Sequence, residues 1–176
     1  MTYIIVLLAV LARFAPHPYN FSPVYGALLF GGVYLKHRDS VWYPILLLGV
    51  SDILLTTQVY HMPFSWSEFL GLPAFAAIAL IGHLIRNRVT VQSVLAASLA
   101  GATVFFILSN FAVWLGWRMY PPTAAGFIAC YVAALPFFGN TLLSSVLFSA
   151  VLFGAYEFYS RKAAARQLGS AVAHGG

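Results

Sequence analysis

Charge is what this sequence has least of. Of its 176 residues, 7% are Asp, Glu, Lys or Arg, and only four are acidic. Soluble domains carry about 25% charged residues, so a soluble fold would have almost nothing to place in water. The chain is expected in a membrane. Cysteine is nearly absent as well: Cys130 is the only one, which excludes an intrachain disulfide and a structural zinc site built on cysteines. No G-x-S-x-G, H-E-x-x-H, Walker loop or Rossmann fingerprint occurs, and no nucleophile sits beside a base. The expectation is a protein that is not an enzyme, needs no cofactor and does not use ATP by itself. The alternating ten-residue pattern of a transmembrane barrel is missing too. The first three apolar segments do not repeat as the last three, against an inverted-repeat transporter.

Apolar residues fill the space that charge leaves. They make up 61% of the chain, in long runs of Leu, Ala, Ile, Val and Phe. The expected class is all-α, a polytopic membrane protein. Its six transmembrane helices fall at about 1–15, 23–35, 41–58, 67–86, 91–116 and 137–160, close to the length a bilayer demands or somewhat short of it. The first fifteen residues lack the basic n-region of a signal peptide, and Arg13 stands where an apolar core should end, so they read as helix. Connections are short. One transmembrane domain over 1–166 is expected, followed by a flexible, Gly/Ala-rich cytoplasmic tail at 167–176.

Lys and Arg set the orientation. Lys36, Arg38, Arg86, Arg88, Arg161, Lys162 and Arg166 fall on one side of these spans, leaving Arg13 and Arg118 on the other. That bias places both termini in the cytoplasm. It also accounts for the net charge of +5 without nucleic acid. The third outward connection, 117–140, contains its own apolar run, Thr123–Leu135, closed by Pro136. Thirteen residues reach only about 20 Å as helix against ~30 Å of hydrocarbon. The run is therefore expected as a short capping or re-entrant helix on the outer face.

The polar residues gather in the outward connections. Between Arg13 and Gly26 the chain reads R-F-A-P-H-P-Y-N-F-S-P-V-Y-G. Pro16, Pro18 and Pro23 forbid a continuous helix. Irregular backbone at membrane depth survives where protein covers it or where it lines a cavity. The stretch reads as part of a ligand pocket, the other reading being a tight connection with aromatics at the headgroups. Asp52 is the only acidic residue deep in a span, where an ionisable group costs at least ~2.5 kcal/mol and is normally paired or faces a cavity. Arg13 and Arg118 are the candidate partners, in a structural lock or a binding site. His17 and His61 lack a third ligand at helical spacing, so no metal site is expected. Asn110 and Trp114 lie one turn apart near the outer end of their span, and Asn140 reads as the N-cap of the last one. The expected ligand-binding set is Arg13, His17, Tyr19, Asn20, Phe21, Asp52, His61, Trp66, Asn110, Trp114, Arg118, Tyr120 and Asn140. Ala97/Gly101 and Ser145/Ser149 are small-xxx-small pairs suited to close helix packing.

The runs H-P-Y-N-F-S-P-V-Y-G-A-L-L-F-G-G-V-Y, S-D-I-L-L, N-F-A-V-W-L and M-Y-P-P-T-A-A-G-F-I-A-C-Y-V-A-A-L-P-F-F-G-N-T-L cover most of the chain. They resemble an uncharacterised family of small bacterial membrane proteins, which implies a location in the cell inner membrane. In size and layout that family is similar to the S-components of energy-coupling-factor (ECF) vitamin transporters. The resemblance implies six helices with cytoplasmic termini, whose outward loops close over a micronutrient, and a transmembrane coupling subunit with ATPases as partner. The A-x-x-x-A docking pattern of S-components is replaced in the first helix by Ala9, Ala12 and Ala15. The function expected is binding and uptake of a small vitamin or cofactor precursor from the lipid bilayer's outer side. The alternative is a non-transporting assembly subunit whose outer aromatic loops bind a protein.

Overall fold

The computed structural model describes residues 2–16, 18–117 and 119–174, with the side chains of 68, 164 and 166–174 outside the description. Helix is the only regular structure among them. In chain order the helices are α1 (Thr2–Leu11), α2 (Val24–Tyr34), α3 (Asp39–Leu54), α4 (Leu72–Ile85), α5 (Val91–Gly116) and α6 (Ala124–His174). Among the described residues, three stretches are long and apolar enough to cross a membrane: Asp39–Val59, Val91–Gly116 and Ala124–Ala163. Thr2–Phe14, Val24–Tyr34 and Phe69–Ile85 are shorter apolar helices. The first five expected segments are all helical.

α2 is the hub. Every residue from Val24 to Val33 is buried, as expected of a helix that is apolar all round. α4 and α6 pack on it most closely, and glycine is the reason. A Cβ at Gly32 would run into the carbonyl of Ala79, and one at Gly82 into that of Leu29, so α2 and α4 cross almost backbone to backbone. On the other flank a Cβ at Gly26 would stand 2.7 Å from the backbone of Phe148 and Ser149 in α6. Where α2 ends, Arg86 donates to the carbonyls of Gly32 and Leu35. A cation there satisfies orphan acceptors and opposes the negative end of the helix dipole.

The contacts sort the charges to one end of the bundle. The Tyr3 hydroxyl donates to Asp39 at 2.6 Å, the His37 and His83 rings meet at 4.2 Å, and Tyr34 lies 4.1 Å from Tyr156. The start of α1, both ends of the α2–α3 turn, the end of α4 and the second half of α6 thus share one end. Lys36, Arg38, Arg86, Arg88, Arg161 and Lys162 lie in or beside these segments. We call it the basic end.

One expectation is overturned. The run Thr123–Leu135 is not a separate capping or re-entrant helix: it forms the first turns of α6, which continues unbroken through Pro136. Proline removes one intrahelical bond, a loss that neighbouring helices make tolerable. Here α5 templates α6 on both sides of the proline. Phe106 packs on Tyr131 before it and on Phe138 after it, and the Tyr131 hydroxyl donates to the Ile107 carbonyl at 2.7 Å. Further along, Ser145 Oγ donates to the Ser98 carbonyl at 2.9 Å. The backbone of 167–174, within the expected tail, is helical and continues α6; 175–176 lie outside the described residues.

Candidate functional site

At the end opposite the basic residues, α1 tightens from α-helix into a 3-10 turn, Ala12–Phe14, which carries Arg13. The guanidinium reaches α3. Its Nη2 lies 2.6 Å from Asp52 Oδ1, and Nη1 donates to Ser51 Oγ at 2.6 Å. The two charged side chains are only 18% and 20% exposed. Ser51 Oγ donates onward to the Leu48 carbonyl, so it is doubly committed. Arg13, one of the two cations weighed as partners of Asp52, pairs with it; Arg118 lies outside the described residues.

The segment after Asp52 departs from α geometry. Leu55–Val59 widens into a π-helical turn, a form that often marks functional sites. It leads to His61, whose φ of 52° is left-handed. Only one other non-glycine residue among those described has positive φ: Asn20, at 58°. Asparagine tolerates this region better than most residues. It lets the connection between α1 and α2 fold back on a turn closed by Phe21 N–H to the Pro18 carbonyl at 3.0 Å.

That turn is strapped to α6. Asn140 Nδ2 donates to the Tyr19 carbonyl at 3.0 Å, and the Ser144 hydroxyl, which donates to the Thr141 carbonyl of its own helix at 3.2 Å, also lies 3.5 Å from the Asn20 carbonyl. Tyr19 meets Phe137 edge-on at 6.2 Å, and Phe21 meets Phe148 at 5.6 Å. Asn140 is therefore no N-cap. It sits inside α6 and uses its amide across the bundle. Below the strap, at the start of α2, Tyr25 is 4% exposed and its ring meets Phe105 at 4.8 Å, with Thr141 of α6 and the Arg13 charge in its surroundings. Tyr25 thereby lies between the ion pair of α1 and α3 and the polar stripe of α6.

The expected site residues fall into three groups. Arg13, Asp52, Tyr19, Asn20, Phe21 and Asn140 make the cluster just described. Asn110 and Trp114 belong to the tip of the α5–α6 hairpin. Asn110 satisfies its amide on its own helix, donating to the Phe106 carbonyl at 2.7 Å. Trp114 Nε1 donates to the Pro121 carbonyl at 3.1 Å and packs on Phe127. An open depression of ≈ 570 Å³ lies beside these two rings, and Tyr120 is half-buried in the connection nearby. The third group is the exposed stretch after the π turn: His61, and Trp66, which is 78% exposed and rests on Phe64 and Phe69. His17 lies outside the described residues.

Sequence reasoning missed Ser51, Tyr25, Thr141 and Ser144. The signal for the last two was present: Thr141, Ser144, Ser145 and Ser149 are all buried, at spacings that line one helical face. Chemically the cluster offers a guanidinium, a carboxylate, a phenol, an amide and hydroxyls beneath the backbone turn of residues 18–21. Among the described residues no three His, Cys, Asp or Glu side chains come together.

No curated protein and no solved structure gives a significant match to the chain. A family model does, over residues 1–168, and the chain belongs to that family, described as a family of unknown function (DUF6580).

Proposed function

We propose that this protein binds a small polar, ring-bearing solute, such as a vitamin or cofactor precursor, and serves its uptake across a bacterial inner membrane. All six apolar helices span in this reading, both termini are cytoplasmic, and the Arg13–Asp52 cluster opens outward. The observation that carries it is the part-buried ion pair beside a strap held by the Asn140 bond to the Tyr19 carbonyl and the Tyr19 and Phe21 ring contacts with α6. Ionisable groups inside an apolar chain are costly and mark ligand paths more often than packing. The left-handed residues at Asn20 and His61 and the π turn supply the backbone irregularity of a closing loop. Any ATP-driven step in this reading falls to a partner, such as a coupling subunit with ATPases, since the sequence has no nucleotide-binding loop.

The rival reading is an assembly subunit that offers Tyr19 and Trp66, 82% and 78% exposed, to a protein. A thermal-shift screen of purified protein against water-soluble vitamins and their precursors separates the two. A ligand at a hundredfold excess over its Kd adds about 2.7 kcal/mol to the folded state. Uptake expects one chemical class to raise Tm in the parent and not in Asn140→Ala. No shift with any compound, or a shift that Asn140→Ala retains, defeats it.

A further inference from the structure

A second opening lies far from the Arg13–Asp52 cluster, at the basic end. Between the first half of α5 and the second half of α6 is a cavity of ≈ 500 Å³. Val94, Leu95, Val146 and Phe153 form its apolar walls, with Ser98 buried at the far end. On α6 the lining residues Ala150 and Gly154 are small and exposed, and a Cβ on Gly154 would meet nothing within 4 Å. The slot therefore opens sideways along two helices that are each long and apolar enough to cross a membrane. From Thr90 to Ser98 it follows α5 for about 12 Å at ~1.5 Å per residue. One leaflet's hydrocarbon is about half of ~30 Å.

The lining changes character at its mouth, where Thr90, Glu157 and Arg161 replace the aliphatic walls. Arg161 Nε is bound to Glu157 at 2.8 Å, yet the arginine side chain stays 79% exposed. Lys162 stands next to it, 4.3 Å over the Phe158 ring. α5 begins at the same place, with Thr90 as its N-cap, and the positive end of a helix dipole adds to the two cations. Glu157 offsets one of them. The mouth is left net positive above an apolar slot.

We propose that this slot binds one anionic phospholipid of the adjacent leaflet, an acyl chain lying between α5 and α6 and the phosphate held by Arg161, Lys162 and the start of α5. Charge complementarity selects this occupant over a second copy of the chain. Two copies joined through Ala150 and Gly154 about a two-fold axis along the membrane normal would bring each Arg161 and Lys162 against its own equivalent.

The test is native mass spectrometry of the protein after reconstitution in vesicles of equal phosphatidylglycerol and phosphatidylcholine and extraction in mild detergent. The parent should retain one phosphatidylglycerol in preference to phosphatidylcholine. Arg161→Gln and Lys162→Gln should each lower that preference about fivefold, the worth of one cation near a lipid surface. Glu157→Gln should raise it. Gly154→Phe fills the slot and should abolish retention of both lipids; Ala150→Leu repeats the test if the phenylalanine variant does not insert. Equal retention of the two lipids by the parent overturns the proposal, as does phosphatidylglycerol retained unchanged by both slot-filling variants. A dimer mass lost in Gly154→Phe overturns it in favour of a second copy.

Discussion

Removing the guanidinium from Asp52 is the perturbation most diagnostic of the cluster. The pair sits at 2.6 Å, with its side chains 18% and 20% exposed. Taking one partner from a fully buried pair costs 3–5 kcal/mol, whereas an exposed pair is worth about 0.2–1 kcal/mol. At one-fifth exposure Arg13→Gln should cost about 2–3 kcal/mol. Ser51 contributes little to that loss, because its hydroxyl still donates to the Leu48 carbonyl. Asp52→Asn should be milder, about 1 kcal/mol, since the amide oxygen can still accept from Arg13. The double variant should then be less damaged than the sum of the singles, by about 1 kcal/mol or more. Unfolding of the four proteins in one detergent, followed by circular dichroism, measures the cycle. Losses that add within about 0.3–0.5 kcal/mol would show that the two side chains do not act as a pair.

Two further outcomes follow from the packing and the charge pattern. Gly82→Ala and Gly32→Ala each drive a methyl into a facing carbonyl, and each should cost at least the 1–3 kcal/mol typical of overpacking; Gly154→Ala, in open space, should cost little, and equal losses at all three would refute the close crossing of α2 and α4. A reporter joined after Gly176 should be active only in its cytoplasmic form, whereas periplasmic activity would reverse the proposed orientation and turn the Arg13–Asp52 cluster inward.

The helices were legible because composition decides them. An apolar run bounded by Lys, Arg or proline has few other states in a membrane, and the first five segments follow that rule. Pro136 misled the reading for a specific reason. Proline's local cost is visible in sequence, but the Tyr131–Ile107 bond and the Phe106–Phe138 contact that offset it join positions 24 and 32 residues apart. Asn140 failed in the same way, since its partner is a carbonyl 121 residues away. Asp52 was recognisable as a paired residue from the cost of a lone carboxylate, although its choice of Arg13 depended on the 3-10 turn that ends α1. Asn110 looked like a binding residue for want of a partner. It found one in its own helix, four residues back. The slot between α5 and α6 was invisible, because Ala150 and Gly154 are ordinary residues until a neighbouring helix fails to cover them.

The claim that the Arg13–Asp52 cluster holds a small solute is tested most directly by mass spectrometry of what the purified protein releases on denaturation. The parent, solubilised from its own membranes, should yield a discrete small polar, ring-bearing molecule. Tyr19→Ala and Asn140→Ala, which loosen the strap, should release far less of it at unchanged protein yield, and Arg161→Gln at the opposite end should release as much as the parent. A parent preparation free of any such molecule, or one that Tyr19→Ala and Asn140→Ala carry in equal amount, would contradict the account.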